Sequence, residues 1–199
     1  MTANDLYTLI DSWKETTFLK DFELIFNHDI YTEALDTFTL DYQRWYPDDD
    51  QINIKKLTLT PQLHGILTYR LASLWHRKGI SSKVKQQDIL SNIGRINSLS
   101  EIYYSATIGT GLKINHGIGT VIGARAKIGN NCILHQNVTL GDKHSGRPTI
   151  GDNCIIYAGA TIIGDINIGN NCIIGANSVV MNSFPNNSTI AGIPARKIK

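Results

Sequence analysis

Through the second half of this chain, aliphatic side chains recur at six-residue intervals. They fall at Ile102, Ile108 and Ile114, resume at Ile122, Ile128, Leu134 and Leu140, and resume again at Ile150, Ile156, Ile162, Ile168, Ile174 and Val180. All thirteen positions hold Ile, Leu or Val. The next residue is often glycine, as at Gly109, Gly123, Gly129, Gly141, Gly151, Gly169 and Gly175. The residue two before is mostly small, as at Ala106, Ala126, Cys132, Cys154, Ala160, Cys172 and Ser178. A period of six is neither the 3.6 of a helix nor the alternation of a simple strand. It suits short strands joined by tight corners, with each aliphatic residue pointing inward and glycine at corners that need unusual backbone angles. Three sides close a triangular coil of eighteen residues, and coils stacked about 4.8 Å apart satisfy one another's backbone. The pattern predicts a parallel β-helix of a little over four coils across residues 101–199.

The first hundred residues read as helices. Asn4 or Asp5 can cap a helix through Thr17 with Leu6, Leu9, Ile10 and Trp13 on one face. Asp29–Asp41 is a second candidate, and Asp48–Asp50 after Pro47 is a turn or helix start. Pro61 opens a segment with Leu63, Ile66, Leu67, Leu71, Leu74 and Trp75 at helical spacing, and Gly79 would end it. A further helix is expected from Lys83 to Ile96, with the boundary between the two parts near Leu99–Ile102. The fold class is therefore α+β: a helical domain over 1–100, then the β-helix.

Composition sharpens this division. Residues 1–100 carry 11 Lys and Arg against 13 Asp and Glu, whereas residues 101–199 carry 8 against 4, and 14 of the 17 glycines lie in the second part. The formal net charge of +2 is too small to imply nucleic acid as the main partner. No run of eighteen apolar residues suggests a transmembrane helix. The start, with two acids and no basic region, does not read as a signal peptide, so a cytoplasmic location is expected. Three cysteines without a CxxC pair argue against a disulfide scaffold or a usual zinc site, and no metal is expected. Cys154 and Cys172 are one coil apart, and Cys132 joins them once the residues inserted after Leu140 are discounted. All three read as small core residues in one column.

Chemistry is expected where the repeat breaks. Between Ile114 and Ile122 the step is eight, with the extra residues in Asn115-His116-Gly117-Ile118-Gly119. Between Leu140 and Ile150 it is ten, which makes a loop from Gly141 to Thr149. Solenoids tolerate insertions at corners, and such loops often line binding sites. His116 is the best candidate base, because an imidazole titrates near neutral pH and can take a proton from a hydroxyl. Asn115 beside it can orient the ring or serve as a left-handed corner residue.

From about Asp41 to Arg196 the chain resembles the serine acetyltransferases of the hexapeptide-repeat acyltransferase superfamily. The matching stretches are Asp41-Tyr42-Gln43 with Asp49, Pro61-Gln62-Leu63-His64-Gly65-Ile66-Leu67-Thr68-Tyr69-Arg70, Asn115-His116, Asn137-Val138-Thr139-Leu140-Gly141, and Ala191-Gly192-Ile193-Pro194-Ala195-Arg196. The helical stretch is the more specific to the serine branch. The resemblance implies a left-handed β-helix, a homotrimer or dimer of trimers with sites between subunits, acetyl-CoA as donor, and direct transfer with His116 as base. It implies coenzyme A along the later coils on the backbone of Ala158, Gly159, Ala160 and Ala176, with Arg196 and Lys197 meeting its phosphates. Backbone N–H groups near Gly141 would stabilise the oxyanion. Asp49 matches an acid that meets the serine amino group.

The chain also departs from the family pattern. Asn115 stands where the family has Asp, and an amide brings no negative charge. The family's Arg-His-Pro in the loop is here Gly146-Arg147-Pro148. Arg147 can clamp a carboxylate, and His144 can reach the site from within the loop. His135, one coil from Asn115, is a candidate supporting residue, while His64 is expected to pack within the helices. The family's long tail, which docks onto the sulfhydrylase of cysteine synthesis, is absent after Arg196, so a stable complex with that partner is not expected. The acceptor is a small molecule with a hydroxyl: L-serine, in cysteine biosynthesis, or alternatively a sugar of surface-polysaccharide or nucleotide-sugar synthesis.

Overall fold

A computed structural model of the protein describes residues 1–80 and 84–199. The helices are α1 (Ala3–Glu15), α2 (His28–Gln43), α3 (Ile54–Thr58), α4 (Pro61–Lys78) and α5 (Gln86–Ser98). The strands follow as β1 (Glu101–Ile102), β2 (Thr107–Ile108), β3 (Lys113–Ile114), β4 (Val121–Ile122), β5 (Lys127–Ile128), β6 (Ile133–Leu134), β7 (Thr139–Gly141), β8 (Thr149–Ile150), β9 (Ile155–Ile156), β10 (Thr161–Ile163), β11 (Asn167–Ile168), β12 (Ile173–Ile174), β13 (Val179–Val180), β14 (Thr189–Gly192) and β15 (Ala195–Lys197).

From β1 to β10 each strand pairs in parallel with the strand three places on, and β12 pairs in parallel with β14. This gives three faces: β1-β4-β7-β10-β13, β2-β5-β8-β11 and β3-β6-β9-β12-β14. Ile102 is paired with Ile122, Ile122 with Leu140 and Leu140 with Ile162, so the six-residue register sets the stacking. All thirteen expected aliphatic positions are buried. The structure is thus a helical region followed by a parallel β-solenoid of about four turns. β15 turns back antiparallel to β14 and closes the third face.

The cysteines are core residues. Cys132, Cys154 and Cys172 are each fully buried, and their thiols donate to the carbonyls of Gly151, Gly169 and Pro185 in the adjoining coil at 3.1–3.2 Å. A corner device that the aliphatic spacing did not disclose runs beside them. The N–H of Asn130 donates to Asp152 Oδ1 at 2.6 Å, that of Asp152 to Asn170 Oδ1 at 2.8 Å, and that of Asn170 to Asn186 Oδ1 at 2.8 Å. The following residues, Asn131, Asn153, Asn171 and Asn187, all have φ between 56° and 60°. Asparagine tolerates this left-handed region better than other residues with a Cβ.

Several helix boundaries differ from the sequence expectation. α1 is capped by Thr2, not Asn4 or Asp5: Thr2 Oγ1 accepts from the Asp5 N–H, and the Asp5 carboxylate accepts from the Thr2 N–H. It ends at Glu15, where the Thr16 and Thr17 hydroxyls donate back to the carbonyls of Trp13 and Lys14. α2 starts one residue earlier than expected, behind an Asn27 cap, and Asp48–Asp50 stays in a turn. α3 was not expected, because five residues are too few to show a period. α4 runs from Pro61 to a left-handed Gly79 as its spacing implied. The expected start of the next helix at Lys83 lies outside the described residues, and α5 ends at Ser98 with Leu99 left-handed.

α4 is buried without interruption from Leu63 to Trp75, not only along its apolar stripe. Close packing on α5 explains part of this: a Cβ at Gly94 would lie 2.1 Å from Thr68 Oγ1, and one at Gly65 would lie 2.5 Å from Ser98 Oγ. α2 and Trp13 cover further positions, and the side that carries Tyr69 and Arg70 faces the first coil. That coil has no coil beneath it, so its inward backbone groups need partners from elsewhere. The Ile108 N–H donates to the Tyr69 hydroxyl at 3.2 Å, and Arg70 Nη1 donates to the Ile108 carbonyl at 2.8 Å. Arg70 also grips Asp41 through two bonds of 2.8 and 2.9 Å, and Asp41 accepts the Leu112 N–H at 2.8 Å. Tyr69, Arg70 and Asp41 therefore take the place of the missing coil. No helix among the described residues is long and apolar enough to cross a membrane.

Candidate functional site

His116 stands at the corner between β3 and β4, where the eight-residue step places two extra residues. The corner closes on itself through two overlapping three-residue turns: the Gly117 N–H donates to the Asn115 carbonyl at 2.8 Å, and the Ile118 N–H donates to the His116 carbonyl at 2.7 Å. His116 has φ 63° and Gly117 has φ 61°. A residue with a Cβ held in that region costs about 1–3 kcal/mol, and the same conformation recurs at the other corners, as at Asn131, Asn153, Asn171 and Asn187. The His116 side chain is exposed.

The later coils extend this corner. Asn115, His135, Tyr157 and Gly175 stack in successive turns: the N–H of each of the first three donates to the carbonyl that precedes the next one, at 2.7–3.0 Å. The His135 ring lies on Tyr157 with centroids 5.0 Å apart and planes 24° apart. Burial, and then the neighbouring His116, holds the His135 pKa below the usual histidine value. Ala158, Gly159, Ala160 and Ala176 occupy the same corner. Ala158 and Gly159 are half-buried and Ala176 is exposed, which leaves a shelf of small residues above His116. Ala160 is different: its methyl is buried, its N–H donates to the Tyr157 carbonyl and its carbonyl accepts from Thr139. Arg196 and Lys197 lie exposed on β15, the strand that extends the third face, which leads into this corner.

The remaining sequence candidates lie elsewhere in the chain. Gly141 ends β7 at the following corner, between the first and second faces, and the inserted loop starts there. The loop folds as a hairpin with reciprocal Lys143–Gly146 backbone bonds of 3.0 and 3.3 Å, and with His144 and Ser145 at φ 51° and 66°. His144 is therefore exposed at the tip. Arg147 is tucked under the loop. Its Nη1 pairs with Asp142 at 2.5 Å, and its Nε donates to the Ala124 carbonyl at 2.8 Å. The guanidinium holds the Asp142 carboxyl below the usual range. Arg125, Lys127 and Asp165 join Arg147 around a cavity of about 270 Å³ at the base of the loop.

Asp49 is half-buried in the turn after α2. Its carboxylate accepts from Lys56 Nζ at 2.6 Å and from the Tyr42 hydroxyl at 2.6 Å, and these two, Lys56 first, hold its pKa below the usual value. His64 is not at the site. It is buried against Trp13, with ring centroids 4.1 Å apart, and its Nε2 meets the Leu57 carbonyl at 2.9 Å. One chain thus gathers Asn115, His116, Ala158, Gly159 and Ala176 at one corner, and presents His144, Arg147 and Gly141 at the next. Sequence reasoning missed Lys56, which occupies Asp49, and Asp142, which occupies Arg147. It also missed Gln62, whose Nε2 donates to the His116 carbonyl at 3.1 Å. Among the described residues, no group of three or more His, Cys, Asp or Glu side chains is placed to hold a metal ion.

Residues 147–182 match the family model described as bacterial transferase hexapeptide (six repeats). A serine acetyltransferase of Staphylococcus xylosus is 39% identical over 150 residues, covering 73% of this chain and 68% of that protein. The structure of a Neisseria gonorrhoeae serine acetyltransferase in complex with serine is similar, with a TM-score of 0.75, 29% identity, and coverage of 96% of this chain and 83% of that one. So is that of a Brucella abortus serine acetyltransferase in complex with coenzyme A, with a TM-score of 0.71, 28% identity, and coverage of 86% and 72%.

Proposed function

This chain belongs to the serine acetyltransferase family, and on that premise we propose that it moves the acetyl group of acetyl-CoA to the hydroxyl of L-serine, with His116 as the general base. The observation that carries this reading is the exposed imidazole on a two-residue insertion, beneath a shelf of small residues on the later coils. In this mechanism His116 withdraws the proton of the acceptor hydroxyl. The hydroxyl oxygen bonds to the thioester carbonyl carbon, the carbon–sulfur bond breaks, and the imidazolium returns its proton to the departing thiolate. Asn115 lends the imidazolium no charge, so orientation of the ring carries more of the catalytic burden than electrostatics. The shelf of Ala158, Gly159 and Ala176 gives the pantetheine arm room, and Arg196 and Lys197 offer cations to phosphates.

The site is completed between subunits. In one chain His116 and the Arg147 loop occupy different corners, and a closed trimer would bring the loop of one subunit to the His116 corner of its neighbour. There His144 reaches the acceptor from the loop tip, while Arg147 stiffens the loop through Asp142. A sugar acceptor is the second reading. It is favoured by the neutral Asn115 beside the base, and by Asp49 being already paired with Lys56, which leaves less negative charge for an ammonium group.

The deciding experiment is thiol release from acetyl-CoA with L-serine in one arm and free and nucleotide-linked sugars in others. Release with serine, lost in His116→Ala, is the expected result. Release only with a sugar would transfer the mechanism to a glycan acceptor.

A further inference from the structure

The corner that carries His116 is held from outside the solenoid at two points. Gln62 Nε2 donates to the His116 carbonyl at 3.1 Å, and the Gly119 N–H donates to the carbonyl of Leu99, just past the end of α5, at 2.9 Å. The side chain of Gln62 also covers Gly117, where a Cβ would come within 3.2 Å of Gln62 Cγ. Gln62 is the second residue of α4, whose body is buried from Leu63 to Trp75, so its backbone is a rigid point of attachment. Within the corner the Thr120 N–H donates to the Gly117 carbonyl and the Asn137 N–H to the Ile118 carbonyl, both at 3.0 Å, whereas the His116 carbonyl meets the Ile118 N–H of its own turn. The two extra residues close on their own short turns, and His116 sits at φ 63°, which an L side chain adopts reluctantly.

We propose that Gln62 is a positioning residue for the base: by holding the His116 carbonyl from α4, it keeps the left-handed corner formed and the imidazole aimed at the acceptor. This rests on the reading of His116 as the base. Without the amide donor, the outer lone pair of that carbonyl turns to water, and the His116 peptide loses its tie to α4 and shifts within the corner. The imidazole moves with it. Substrate binding on the later coils does not depend on this contact, so the loss falls on the chemical step.

The test compares Gln62→Met, which keeps length but not the donor, with Gln62→Lys, which keeps an N–H donor of similar reach. Steady-state thiol release is measured with acetyl-CoA and L-serine. In Gln62→Met, kcat is expected to fall about 10- to 100-fold. KM for both substrates should stay within about twofold, with an unchanged thermal midpoint, and Gln62→Lys should recover most of the loss. An unchanged kcat in Gln62→Met, equal impairment of both variants, or a parallel loss of KM and thermal midpoint would overturn the proposal. His116→Ala separates the two readings. If it abolishes release while Gln62→Met does not, the brace is wrong and the base stands. If it retains wild-type release, the base is wrong and the brace falls with it.

Discussion

At the level of single residues, burial and backbone angle decide what a substitution does. Gly159 has φ 73°, and a Cβ there would lie 2.2 Å from Asn177 Oδ1. Gly159→Ala is therefore expected to destabilise the fold by about 1–3 kcal/mol, read as a shift in urea unfolding. His64 and His135 each contribute a loss of stability in mild acid. Burial is the main cause that holds both below the usual 6.5, with His116 adding to it at His135. Between the folded pKa and 6.5 the unfolded chain binds more protons than the folded one, so stability is full above 6.5 and falls as the pH drops through the folded pKa. Unfolding midpoints at pH 7.5 and 5.5 should show this loss, and His64→Gln, which can still donate to Leu57 but does not titrate in this range, should show less of it. An equal loss in both proteins would remove His64 from the account. The placement of these residues was unequally legible. The His116 corner was visible because it interrupts a strict period. Lys56, Asp142 and Gln62 were not, because nothing in their spacing says which distant group they meet.

Between elements, the joint of helices and solenoid rests on a buried ion pair. Asp41 is fully buried, and Arg70 is nearly so, with two further N–H groups on the Ile108 and Gly109 carbonyls. Removing one partner leaves a buried charge and unsatisfied first-coil backbone. Asp41→Asn or Arg70→Met should each cost about 3–5 kcal/mol in chemical denaturation. The double substitution should cost less than the sum, because it leaves no orphaned charge. Additive losses would mean that each residue acts separately on the first coil. The resemblance had marked Asp41 and Arg70 only as matching positions, and the structure gives them a physical task. α4 likewise read as an amphipathic helix and proved buried from Leu63 to Trp75, because glycines at 65 and 94 let α5 approach while α2, Trp13 and the first coil cover its other sides.

For the molecule as a whole, the proposed function makes activity a property of an assembly, because the His116 corner and the Arg147 loop lie apart in one chain. If the site joins neighbouring subunits, His116→Ala and Arg147→Ala variants should each be impaired alone. Co-assembled in equal amounts, they should regain about a quarter of the wild-type sites, since some interfaces then pair an intact corner with an intact loop. No recovery on mixing would place the whole site within one chain.

Much of this architecture was written in local order. A six-residue period of inward aliphatics repeats the same conformational choice at every side of the coil, so strand positions, stacking register, the cysteine column and the two corners where the repeat is interrupted could be read from spacing alone. Pro61 and Gly79 bounded α4 for the same local reason. The partners of charged and polar side chains could not be read in that way. Whether Asp49 and Arg147 are free or already paired, what satisfies the bare edge of the first coil, and what holds the His116 carbonyl all depend on contacts between segments whose separation along the chain carries no periodic signal. Those contacts exist only once helices and coils have packed, because desolvation and hydrogen-bond geometry are settled in three dimensions.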